Sequence, residues 1–66
     1  MQIILNGENF SAEAPYTVAA LVQQLGFADK RVAVEVNKEI VPRSEHGQHQ
    51  LQESDKVEVV AAIGGG

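Results

Sequence analysis

The hydrophobic positions of this chain switch between two periods, and the switches mark its elements. Residues 1–6, Met-Gln-Ile-Ile-Leu-Asn, are a short apolar run with β-branched residues. Asn6-Gly7 then reads as a two-residue hairpin turn, because both turn positions of the favoured type need positive φ. Asn9 to Glu13 resumes the alternation. With Met1, Ile3 and Leu5 on one face, Phe10 and Ala12 are their partners across the hairpin, while Gln2, Ile4, Ser11 and Glu13 point away.

After Ala14-Pro15-Tyr16 the period lengthens. Val18, Leu21, Val22 and Leu25 stand at i, i+3, i+4 and i+7, one stripe of a helix of about nine residues, with Thr17 as its N-cap and Gly26 as the C′ residue. Gln23 and Gln24 take the wet side. So short a helix has no stability alone in water and must lie on a sheet.

Period two returns at residues 32–36, with Val32, Val34 and Val36 on one side and Ala33 and Glu35 on the other. Asn37-Lys38 predicts a second turn, since Asn tolerates the left-handed region, and Ile40-Val41 a short edge strand stopped by Pro42. From Arg43 to Ser54 the pattern is polar with Leu51 as the one large apolar residue, which predicts a loop, with a helical or 3₁₀ turn in it, pinned to the core by Leu51. Glu53-Ser54-Asp55 is turn chemistry. The last strand, Val57 to Ile63, puts Val57, Val59, Ala61 and Ile63 on one face and Glu58, Val60 and Ala62 on the other.

The predicted order is β-β-α-β-β-β. One apolar stripe on one helix requires the whole sheet to curl round it. The expectation is therefore an α+β, β-grasp (ubiquitin-like) fold: a mixed sheet of four to five strands round one helix, the last strand central and beside the first. Residues 1–63 would form a single domain. Gly64-Gly65-Gly66 would be a flexible C-terminal tail that reaches at most ~10 Å beyond it and, lacking Cβ atoms, enters slots closed to other residues. A terminal glycine run taken alone also reads as a frayed end. Anchoring of the preceding strand is what separates the two.

Composition narrows the field of functions. With no cysteine, disulfides and thiolate metal sites are excluded, and a reducing, cytoplasmic address fits. No basic segment precedes an apolar one in the manner of a leader, and no apolar run approaches the ~20 residues of a membrane span. The net charge of −4 argues against nucleic acid and steers the domain toward basic protein surfaces. His46 and His49, with Glu45, lack the spacing of a known metal site and read as surface histidines. Glu13, Asp29, Glu35 and Glu39 are scattered, and no glycine-rich phosphate loop joins a strand to the helix. No active site is predicted. Arg43 reads as a structural ion-pairing residue. Ile4, Val60 and Ala62, with Ala33, point outward by the assigned alternation and predict a docking patch beside the tail.

Several stretches together resemble the ThiS family of ubiquitin-like β-grasp proteins, the sulfur carriers of thiamin thiazole biosynthesis. They are residues 1–6, Thr17-Val18 with Leu21, Val22 and Leu25, residues 34–43 (Val-Glu-Val-Asn-Lys-Glu-Ile-Val-Pro-Arg), and Val57-Glu-Val through Ile63-Gly-Gly-Gly66. The likeness spans the chain. It departs at His46, where the family often has an aromatic residue, and at Ser54, where glycine is common. The resemblance implies a substrate rather than a catalyst, with no cofactor of its own. An adenylyltransferase of the ubiquitin-activating type would adenylate the Gly66 carboxylate with ATP, and a persulfide sulfur donor such as a cysteine desulfurase would convert it to a thiocarboxylate. Gly64 and Gly65 would thread into the partner, and thiazole synthase would take the sulfur. The alternatives are a carrier of the molybdopterin synthase small-subunit type and a ubiquitin-like protein modifier. The chemical demand is plain: a carboxylate is a poor electrophile at neutral pH and must be activated before sulfur attacks it.

Overall fold

Two β-hairpins that share no strand pairing with each other are joined by the last strand. The computed structural model describes residues 1–61. Strand β1 (Gln2–Leu5) pairs antiparallel with β2 (Glu8–Ser11), Ile3 opposite Phe10. Strand β3 (Val32–Val36) pairs antiparallel with β4 (Glu39–Val41), Val34 opposite Val41. Strand β5 (Lys56–Ala61) runs parallel to β1 and antiparallel to β3, so the sheet order is β2-β1-β5-β3-β4. The expected central last strand beside the first is observed. Predicted from Val57, it begins one residue earlier, and its expected continuation through Ala62 and Ile63 lies outside the described residues, as do Gly64, Gly65 and Gly66.

Both hairpin turns take the conformation that two-residue loops require. Asn6 and Gly7 have φ 49 and 83, and Asn37 and Lys38 have φ 52 and 71. Helix α1 (Val18–Gln24) is shorter than its apolar stripe suggests, because Leu25 is already the C-cap residue. Thr17 Oγ1 accepts from the Ala20 N–H at 3.1 Å. At the other end Gly26, at φ 81, reverses the chain. Its N–H donates to Gln23 O and that of Phe27 to Val22 O, both at 3.0 Å, closing a Schellman motif over the last turn.

The helix lies on the inward face of the sheet. Val18, Leu21 and Val22 meet Ile3, Leu5, Val34, Val36, Val41, Val57 and Val59, and Leu51 pins the long loop there as expected. The loop itself is more ordered in its bonding than its polar sequence suggests. A 3₁₀ turn spans Arg43–Glu45. The carbonyls of His46 and His49 then accept from the Ala19 and Val18 N–H groups, each at 2.9 Å, and Leu51 N–H donates to Tyr16 O at 2.8 Å. The loop therefore fills the orphan donors of the helix N-terminus that side chains leave open. This corrects the reading of both histidines as surface groups: His46 is only 7% exposed, with Nε2 3.1 Å from Val41 O, and His49 is half-buried. The main-chain role of the loop forces His46 inward, and the imidazole satisfies a strand carbonyl there. Ser54 sits at φ 71, the backbone state that makes glycine the usual choice at such a turn.

Candidate functional site

The base of the glycine tail is the C-terminal half of β5, and the geometry there decides whether the tail starts from a fixed point. On one side β3 accompanies β5 along its described length, from Val36 opposite Val57 to Val32 opposite Ala61. On the other side β1 pairs only at Ile4 with Lys56 and Leu5 with Val57. Beyond that the chain has turned away, and the side chain of Asn6 takes the place of a strand. Its Oδ1 accepts from the Val59 N–H at 2.9 Å, and its Nδ2 donates to Val59 O at 3.3 Å.

The start of β5 is held in the same way by the second turn asparagine. Asn37 Oδ1 accepts from the Lys56 N–H at 3.0 Å, its Nδ2 donates to Asp55 Oδ1 at 3.0 Å, and its own N–H donates to Lys56 O at 2.7 Å. Left-handed backbone at both positions aims the two amides at β5. Sequence reasoning assigned Asn6 and Asn37 to turns and missed this second task. The cue was available: asparagine stands first in both hairpin turns, where its amide can bond to backbone.

The outward face of the sheet has a definite layout. Val60 is 65% exposed and stands directly opposite Ala33, so these two expected patch residues meet next to the described end of β5. Ile4 lies on the same face but level with Lys56, four residues before Val60 and ~13 Å along the strand. Ala62 lies outside the described residues. One row back from Val60 stand Glu58, Glu35 opposite it, and Ile40 opposite Glu35. Ile40 is 65% exposed and was missed as a surface residue. It follows from the turn: a two-residue loop at Asn37-Lys38 sets Glu39 against Val36 and hence Ile40 against outward-facing Glu35.

No group of three or more His, Asp or Glu side chains among the described residues could hold a metal ion. A hollow of about 320 Å³ between α1 and the 3₁₀ turn is lined by Val22, Lys30, Val32, Arg43 and His46 among others, with no carboxylate to serve as acid or base. Arg43 is exposed at its rim. No helix of the described residues is long and apolar enough to cross a membrane.

What the molecule displays is one braced strand and one open face on a fold and a sequence that resemble those of known proteins. A thiamine biosynthesis protein (ThiS) from Geobacter metallireducens, known from a crystal structure, superposes with a TM-score of 0.80 at 28% identity, covering 100% of both chains. The sulfur carrier protein ThiS of Escherichia coli is 35% identical over 66 residues, again 100% of both. A thiazole synthase of Magnetococcus marinus is 53% identical over the whole of this chain, which spans only 20% of that protein. The model of the ThiS family matches residues 3–66, from the first strand through the three glycines. The chain belongs to the ThiS family.

Proposed function

We propose that this chain is a sulfur carrier for thiazole formation in thiamin biosynthesis, acting as a substrate of other enzymes. The observation that carries the reading is the bracing of β5, by β3 up to Ala61 and by Asn6 at Val59, on the strand whose sequence leads on to the glycines. A tail leaving a fixed base samples less space than one leaving a frayed strand, so its end reaches a partner's active site at lower entropic cost.

The Gly66 carboxylate attacks the α-phosphorus of ATP in an adenylyltransferase of the ubiquitin-activating type, and pyrophosphate leaves. The terminal sulfur of a persulfide attacks the acyl carbon, and AMP departs with the former carboxylate oxygen. A thiol then cleaves the acyl disulfide by a two-electron reduction and leaves the thiocarboxylate. Thiazole synthase receives this sulfur, a partner suggested by the relative in which a domain like this one makes up a fifth of a thiazole synthase. Gly64 and Gly65 thread the narrow approach, and Ile4, Val60 and Ala62 belong to the face that docks on the activating enzyme.

Intact mass after incubation with the adenylyltransferase, ATP and a persulfide donor tests this directly. The expected result is a mass gain of sulfur for oxygen confined to the C-terminal peptide; an unchanged mass overturns the reading. Covalent adducts on lysines instead would indicate a ubiquitin-like modifier, and delivery to a molybdopterin synthase large subunit would indicate that pathway.

A further inference from the structure

The outward face carries a charge arrangement that the free domain does not need. Glu35 and Glu58 stand directly opposite each other on antiparallel strands, where like charges destabilise a sheet. Ile40 stands beside them on β4, and Val60, with Ala33 opposite, forms the next row toward the end of β5. Ile40 and Val60 are the two large apolar side chains most open to solvent among the described residues. Two carboxylates ~5 Å apart at Cβ are thus flanked by exposed aliphatic groups on two sides.

We propose that the row Ile40, Glu35 and Glu58, with Val60, docks an arginine-bearing surface of thiazole synthase. A guanidinium is the group this row fits. Its planar fork donates to both carboxylates at once, and its weakly hydrated faces lie against the Ile40 and Val60 side chains, whereas an ammonium is a compact, strongly hydrated point charge. Lys56, on the same face but one row back beside Ile4, leaves the acidic pair open at the end nearer the tail. A partner that receives the residues after Ala61 must lie against this end of β5, and the net charge of −4 favours approach to a basic surface. Thiazole synthase is the occupant because a relative holds a domain like this one in the same polypeptide with that enzyme.

The inference rests on the carrier reading above. Its test is the affinity of the whole chain for a separately encoded thiazole synthase, measured at low and high salt for the wild type and for the Glu35→Gln, Glu58→Gln double variant. The expected result is a Kd raised roughly 5- to 20-fold with a flatter salt dependence. The thermal midpoint of the free variant should rise by about 1–4 °C, because the repulsion is gone. Glu58→Lys should weaken binding further, and an Arg→Glu change in the synthase should restore it. A folded double variant that binds as the wild type does, with the same salt dependence, overturns the proposal, and so does wild-type binding to the adenylyltransferase without any to the synthase. Failure of the carrier reading is seen separately, as a wild-type chain that acquires no sulfur.

Discussion

The amide of Asn6 bonds to both main-chain groups of Val59, accepting at 2.9 Å and donating at 3.3 Å, and so carries the β1 edge of β5 past the last backbone bond, Asn6 N–H to Val57 O. Replacing Asn6 with alanine removes both bonds, leaves two Val59 groups unpaired, and puts a Cβ-bearing residue without local hydrogen bonding at φ 49. A loss of about 1–3 kcal/mol is expected. Asn6→Gly keeps the turn and loses only the bonds. Hydrogen exchange at the Val59 amide, which loses its Asn6 acceptor, should quicken in both variants, and more than at the amide of residue 6, whose N–H keeps its bond to Val57 O.

Ser54 occupies a left-handed backbone position, with its N–H donating to Gln2 O at 2.7 Å. Ser54→Gly keeps that bond and removes the conflict between Cβ and backbone. The expected gain is about 0.5–1 kcal/mol, read as a rise of roughly 2–6 °C in thermal midpoint. No rise would mean that the greater freedom of glycine in the unfolded chain offsets the relief.

Val60 and Ile4 share a face but not a neighbourhood, so their variants should behave differently. Val60→Asp should weaken binding to the adenylyltransferase about tenfold with little change in stability, since the side chain is 65% exposed. Ile4→Asp introduces a charge at a half-buried site and should also cost stability. Titration calorimetry paired with thermal unfolding separates the two effects. Equal affinities for the wild type and Val60→Asp would remove this face from the interface with the activating enzyme.

Gly65→Val and deletion of Gly66 should each abolish thiocarboxylate formation and leave the thermal midpoint unchanged. The check is intact mass alongside unfolding. A valine variant that still gains sulfur would show that the partner's approach is wider than a side-chain-free tail requires.

The strands, the turn at Asn6-Gly7 and the helix stripe were legible because burial follows period: Ile3, Leu5, Val34, Val57 and Val59 alternate inward, and Val18, Leu21 and Val22 recur at helical spacing. The loop from Arg43 to Ser54 was legible only as far as Leu51. Its work is done by carbonyls of His46 and His49, and main-chain groups are the same in every residue, so composition does not reveal them. The burial of His46 follows from that anchoring. Of the candidate site, alternation put Ile4, Val60 and Ala33 on the outward face, and the pairing of β3 with β5 is what sets Ala33 opposite Val60. The distance of Ile4 from them depends on how far β5 slides along β1, which alternation leaves free by steps of two. Ile40 depended likewise on the pairing set by the Asn37-Lys38 turn.

The position of β5 between two otherwise separate hairpins has a kinetic meaning. Isolated two-stranded hairpins are marginal in water, so β1-β2 and β3-β4 gain lasting structure only when Lys56 to Ala61 arrives to bridge them. Leu5 meets Val57 across nearly the whole chain, a contact of high sequence separation that slows folding. A chain cut short before Ala61 on the ribosome lacks its organising strand and stays open to proteolysis. Completion of the fold therefore certifies that synthesis has reached the residues that lead into the glycines, so that recognition of the assembled sheet would select chains already made past that point.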